Sequence, residues 1–200
     1  MMRDDTPYRE RPAAEVAREQ ACMRQIFSAA DPVDFIYEAF GGTGVTAGVL
    51  RERFPKTRLR SGDLDLECCK IYRERISRPR TCLCIDAQRG LEVYAPELRG
   101  SSWGASLDYN RFTILDLRRS PSNWKYQLLN RVMRLEPRWV QVTDSAVYYL
   151  HLNWSRYGLT DASPESYIDQ VSKEMGKRWG LELEDWAHHR AAAYILYRRP

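Results

Sequence analysis

The chain has 200 residues, of which 44% are hydrophobic, 29% charged and 12% aromatic, with a formal net charge of +4. This balance excludes wholesale disorder and collagen-like sequence, and the length suffices for one domain with a substantial core. No apolar run approaches the ~20 residues that a membrane-spanning helix needs, and no apolar segment follows the charged start MMRDDTPYRERPAAE, which argues against a secretory leader.

Taken in chain order, residues 1–11 are polar and read as a flexible N-terminus, and 12–200 read as a single domain. A helix is expected over 12–29, opened by Pro12, with Val16, Cys22, Met23, Ile26 and Phe27 as an apolar stripe. Val33–Phe40 is β-branched and aromatic, a strand; Gly41-Gly42-Thr43-Gly44 is a turn; Val45–Phe54 is a helix stopped by Pro55. Arg58–Gly62 reads as a short strand, and Asp65 as the cap of a helix running to about Ile76. Thr81–Ile85 is a third strand ending at Asp86. Residues 88–110 are ambiguous, with helix expected at Leu91–Leu98 and a break at Gly100-Ser101-Ser102. A fourth strand is expected at Arg111–Leu115, ending at Asp116, followed by a helix over Ser122–Leu135 and a fifth strand at Arg138–Thr143. A segment dense in aromatic residues occupies 145–158. Ser163 as N-cap, Pro164 as first helical residue and Gly180 as stop bound another helix, and two adjacent strands, Leu181–Trp186 and Ala192–Arg198, close the chain.

Strands alternating with helices imply an α/β, doubly wound, mostly parallel sheet covered on both faces. The last two strands are close enough to form an antiparallel hairpin, which makes a seven-stranded sheet with helices on both faces and one helix N-terminal to it. The five cysteines, Cys22, Cys68, Cys69, Cys82 and Cys84, include no C-x-x-C pair. They predict free thiols in a reducing, cytoplasmic compartment, not a disulfide framework or zinc site. Cys82 and Cys84 alternate within an apolar run and are expected on one face of a strand as small core hydrophobes. Of the 31 basic residues only five are Lys. Arg suits phosphate recognition through its planar fork, although a GC-rich coding sequence yields the same bias.

The chemistry-bearing residues fall at predicted strand ends. Glu38-Ala39-Phe40-Gly41-Gly42-Thr43-Gly44 joins the first strand to the next helix. In a doubly wound sheet that crevice is the ligand site, and glycine there admits positive φ and close approach of a ligand, though such turns also serve plain strand–helix packing. The second strand ends at Asp63, 19 residues after Gly44, where an acid can accept both hydroxyls of a ribose. Asp65 reads as the cap of the following helix. The third ends at Asp86, placed to accept from a purine amino group. The dinucleotide signature G-x-G-x-x-G is absent, since Ala47 stands three residues after Gly44.

At these residues the sequence resembles the class I S-adenosylmethionine-dependent methyltransferases. EAFGGTG is similar to their first motif, with Phe40 where the first Gly commonly lies, a variant familiar among enzymes acting on DNA or RNA. GDLDLECC resembles the second motif and CIDA the third. The resemblance implies S-adenosylmethionine as cofactor. Glu38 and Gly42 to Gly44 would line its methionine part, Asp63 would bind its ribose and Asp86 with Ala87 its adenine, with Phe40 and Gly41 also among the cofactor-binding residues. A side chain at Gly44 would on this view enter ligand space.

The expected fourth-strand end, Leu115-Asp116-Leu117-Arg118-Arg119-Ser120-Pro121-Ser122-Asn123-Trp124, carries neither Asp/Asn-Pro-Pro-aromatic nor Pro-Cys. Asp116 matches only the first position of the former and is the candidate catalytic residue. Arg118, Arg119, Asn123 and Trp124 are the candidate substrate residues, able to grip phosphate and stack a base. His151 is a candidate general base, and no metal site is expected. The leading reading is methyl transfer to nucleic acid. A catalytically decayed fold that binds protein or nucleic acid and a small-molecule methyltransferase are the alternatives. No membrane partner is expected, and the sequence leaves the oligomeric state open.

Overall fold

The computed structural model describes residues 12–77, 81–108, 114–115, 123–144, 159, 163–189 and 192–200. Among them, α1 (Ala13–Ala29) precedes a chain of alternating elements: β1 (Phe35–Ala39), α2 (Val45–Arg53), β2 (Arg58–Asp63), α3 (Leu66–Ile76), β3 (Cys82–Cys84), α4 (Ala87–Leu98), β4 (Trp103–Leu107), α5 (Trp124–Arg134) and β5 (Trp139–Asp144). Helix α6 (Pro164–Trp179) and the strands β6 (Glu182–His189) and β7 (Ala192–Arg198) follow. The seven strands form one sheet in the order β3-β2-β1-β4-β5-β7-β6. Strands β1 to β5 are mutually parallel, while β7 runs antiparallel to both β5 and β6.

The helix ends follow local chemistry. The Asp65 side chain accepts from the Glu67 and Cys68 backbone N–H groups, and Ser163 accepts from Ser166. Pro164 takes the first turn of α6, where its missing N–H costs nothing. Gly180 ends that helix in the left-handed region at φ 65°.

Strand β1 is buried throughout, as a central parallel strand must be. Its alternation sends Phe35, Tyr37 and Ala39 into the core beneath α4, α5 and α6. Ile36 faces the second core, built from Met23, Ile26 and Phe27 of α1, Leu50 of α2 and Tyr72 of α3. Trp139 anchors that second core at the start of β5, with ring centroids 5.8 Å from Phe27 and 6.1 Å from Phe54.

One element departs from the sequence reading. The fourth strand is Trp103–Leu107, not Arg111–Leu115; Ile114 and Leu115 form a short 3-10 turn, both buried. The sequence Trp-Gly-Ala-Ser-Leu lacks β-branched residues because it runs through a crowded centre. A Cβ on Gly104 would collide with the Trp139 indole. Small residues that look like a breaker in one dimension are here what lets a Trp pack across the sheet. The strand therefore ends next to Asp108, and Asp116 does not terminate it. A second difference concerns the thiols: Cys82 is buried, as expected of a core hydrophobe, whereas Cys84 is exposed. Strand β6 runs past the expected end at Trp186 to His189, with His188 stacked on Trp186 at 5.8 Å. The expectations for 1–11 and for 145–158, His151 included, lie outside the described residues.

Candidate functional site

The carboxyl ends of β1, β2, β3 and β4 lie side by side, so the residues that follow them converge at one edge of the sheet. The turn after β1 is tightly wound: Phe40, Gly42 and Gly44 have φ of 63°, 48° and 74°. A non-glycine residue in this region is strained by about 1–2 kcal/mol. Phe40 is the residue carrying that strain, and its ring is met edge-on by Trp124 at 5.5 Å and 71°.

The three glycines of the turn differ in what surrounds them. A Cβ on Gly41 would meet Ser61 Oγ and lie 2.8 Å from Tyr72 Cε2; one on Gly44 would lie 3.1 Å from Tyr72 Cδ2. Both pack against Tyr72 of α3, the nearest group that a side chain at Gly44 would meet. Gly42 is different, since a Cβ there approaches nothing nearer than the Phe40 carbonyl at 4.0 Å. It is the glycine with an open face.

Asp63 ties this turn to β2. Its Oδ2 accepts from Gly42 N–H and its Oδ1 from Asp65 N–H, each at 2.9 Å. Asp65 caps α3, as expected. Asp86 is exposed at the end of the third unit and caps α4 by accepting from Arg89 N–H at 3.0 Å. Ala87 is buried at the start of α4, and its carbonyl accepts from the hydroxyl of Tyr37 in β1.

Glu38 is 1% exposed, beneath the turn on the α3 side, where its Oε2 accepts from the Tyr72 hydroxyl at 2.7 Å. Burial pushes its carboxyl up to about 8; the Tyr72 hydrogen bond opposes the rise, and Asp108 and Asp63 add to it. A buried carboxyl with two more carboxylates close by is an environment that favours a cationic ligand group. Tyr72 and Asp108 were missed by sequence reasoning. Asp108 was legible only with the right fourth strand, and Tyr72 only from knowing which face of α3 meets the turn.

At the mouth, Trp124 is 50% exposed, Lys125 Nζ lies 5.5 Å from its ring centroid, and Gln88 Nε2 donates to its carbonyl at 3.2 Å. The Asn123 side chain caps α5 by accepting from Lys125 N–H. Asp116, Arg118 and Arg119 lie outside the described residues. Among the described residues no group of His, Cys, Asp or Glu is arranged to hold a metal ion, and no helix is long and apolar enough to cross a membrane.

No protein-family model and no curated protein matches the chain. Solved structures do. The chain is similar to Trm1 from Pyrococcus horikoshii in complex with S-adenosyl-L-methionine, with a TM-score of 0.60 and 11% identity over 99% of this chain and 58% of that one. The fibrillarin/Nop5p complex gives a TM-score of 0.58 and 13% identity over 90% of this chain and 81% of that one. The plantazolicin methyltransferase BpumL, solved with SAH, gives 0.57 and 10% over 94% and 86%. The fold is the Rossmann-like fold of class I S-adenosylmethionine-dependent methyltransferases, with its C-terminal antiparallel hairpin.

Proposed function

We propose that this chain is an S-adenosylmethionine-dependent methyltransferase, with nucleic acid the leading substrate class. The observation that carries the reading is the joining of the turn to the strand ends: Gly42, the glycine with an open face, is hydrogen-bonded to Asp63, beside the buried Glu38. Glu38 would face the methionine ammonium, Asp63 the ribose hydroxyls, and Asp86 with Ala87 the adenine. The acidic cluster of Glu38, Asp63 and Asp108 suits a cofactor bearing both an ammonium and a sulfonium better than one bearing a pyrophosphate.

When bound, S-adenosylmethionine supplies a methyl group already activated by its sulfonium. The protein's share of the work is then alignment and exclusion of water, and proximity alone lowers such barriers substantially. Asp108 takes the place first given to Asp116: it follows β4 directly and lies close enough to Glu38 to raise its proton affinity. It would orient an acceptor amino or hydroxyl group and draw off its proton. Exposed Trp124, with Lys125 beside it, supplies a stacking surface and a cation at the same mouth. Solved structures of this fold include TrmN, the methyltransferase domain of bacterial CtHen1-C and Trm1.

The second reading, a non-catalytic binding module, draws on one observation: Asp108 is followed by Tyr109-Asn110, not by Pro-Pro-aromatic. Incubation with methyl-labelled S-adenosylmethionine and separate pools of RNA, DNA and small metabolites tests both. Label in nucleic acid supports the first reading and label in small molecules alone shifts the substrate class. Cofactor binding with no label in any pool favours the module.

A further inference from the structure

Tyr72 is fully buried in α3, yet it touches three parts of the candidate cofactor site. Its hydroxyl donates to Glu38 Oε2 at 2.7 Å, its ring lies against Gly41, and the same ring lies against Gly44. The two glycines are required because Tyr72 fills the space their side chains would take. A ring alone would do this; phenylalanine has the same shape. The hydroxyl therefore has a separate task, and its partner is a carboxylate that also lies beneath the open turn. Free to rotate, a Glu side chain has several rotamers, and a buried hydrogen bond selects one of them.

We infer that Tyr72 is a positioning residue for the cofactor: its hydroxyl fixes the Glu38 carboxylate in the orientation that receives the ligand ammonium, while its ring sets the shape of the glycine turn. The inference rests on the reading of this edge as an S-adenosylmethionine site, and it adds a residue outside the strand ends.

Tyr72→Phe separates the two tasks, since it keeps the ring and removes the hydroxyl. Two ligands report on it. S-adenosylhomocysteine carries the amino acid moiety that reaches Glu38, and 5′-methylthioadenosine lacks it. Calorimetric titration should show Tyr72→Phe weakening S-adenosylhomocysteine about tenfold, as for the loss of a hydrogen bond to a charged group, with 5′-methylthioadenosine unchanged. In a Glu38→Gln background the same substitution should cost nothing further, because the hydroxyl acts through that carboxylate. An equal loss for both ligands, or no loss for either, would overturn the inference while leaving the cofactor site standing. Failure of the unsubstituted protein to bind either ligand would remove the site and the inference together. Tyr72→Leu, which loses ring and hydroxyl alike, should weaken both ligands; if it weakened neither, the ring's role in shaping the turn would be excluded.

Discussion

The backbone N–H of Gly42 donates to Asp63 Oδ2 at 2.9 Å, joining the turn after β1 to the tip of β2. The other oxygen of Asp63 accepts from Asp65 N–H, so one carboxylate holds two turns in place. Asp63→Ala should therefore lose both stability, by about 1–3 kcal/mol, and cofactor affinity. Asp65→Ala removes only the cap of α3 and should cost ~1 kcal/mol of stability with affinity intact. Chemical denaturation and calorimetry on the two variants check the pair. Affinity lost in Asp65→Ala and kept in Asp63→Ala would put the ribose site two residues from where it is placed.

The glycines give a second contrast. Gly41→Ala drives a methyl group into Ser61 and Tyr72 and should destabilise the fold by about 1–3 kcal/mol as overpacking. Gly42→Ala meets no such wall; its cost is the left-handed backbone, about 1–2 kcal/mol, together with a methyl group on the open face. Cofactor affinity relative to stability should fall in Gly42→Ala and not in Gly41→Ala. Melting curves and titrations of both variants measure it, and the reverse ranking would place the ligand elsewhere.

Much of this was legible in one dimension. The α/β alternation, the closing hairpin, the Asp65 and Ser163 caps and the Gly180 stop were written in local signals: capping residues, a proline at a first turn, glycine past a last one. Asp63 was legible because its distance from the glycine turn is set by one helix and one strand. The fourth strand was not, because its residues answer to Trp139, 35 positions from Gly104, and not to strand propensity. Arg111–Leu115 has the composition of a strand and is not one among its described residues, Ile114 and Leu115. Those two are tied down by a long-range contact, Ile114 N–H to the buried Asp144 carboxylate at 2.9 Å, which the sequence does not announce.

Glu38 makes the ligand-free fold sensitive to pH. Burial raises its carboxyl to about 8 in the folded chain, against 4.5 for an ordinary glutamate, with Asp63 and Asp108 adding to the rise and Tyr72 opposing it. Between those values the folded chain holds a proton that the unfolded chain has released. This contribution is thus fully present below about pH 4.5 and is lost as pH climbs through about 8. The melting temperature of the ligand-free protein should carry a downward slope from pH 5 to 8 that Glu38→Gln removes. Binding of an ammonium-bearing ligand at pH 7 should release a proton, visible as a buffer-dependent heat in the wild type and absent in Glu38→Gln. A slope of the same size in both proteins would show that another group titrates.

Trp124 is half-exposed, and its ring forms a T-shaped pair with that of Phe40 at 5.5 Å. Trp124→Ala should leave the melting temperature nearly unchanged and weaken single-stranded RNA by about 1–3 kcal/mol, the usual worth of one stacked base. The dependence of binding on salt should stay the same, because no phosphate contact is removed. Filter binding across a salt series reads both quantities. Undiminished affinity would exclude Trp124 as a stacking surface.

The central claim is that the edge bearing Glu38, Gly42 and Asp63 takes S-adenosylmethionine. Thermal melting of the full chain with and without the cofactor tests it most directly. At a hundred times the dissociation constant, a ligand bound only by the folded state adds about 2.7 kcal/mol, a rise of several degrees for a chain of this length. The account predicts that rise in the wild type, its near-loss in Asp63→Ala, and none from adenosine diphosphate ribose. No rise in the wild type at millimolar cofactor, or an equal rise in Asp63→Ala, would contradict it.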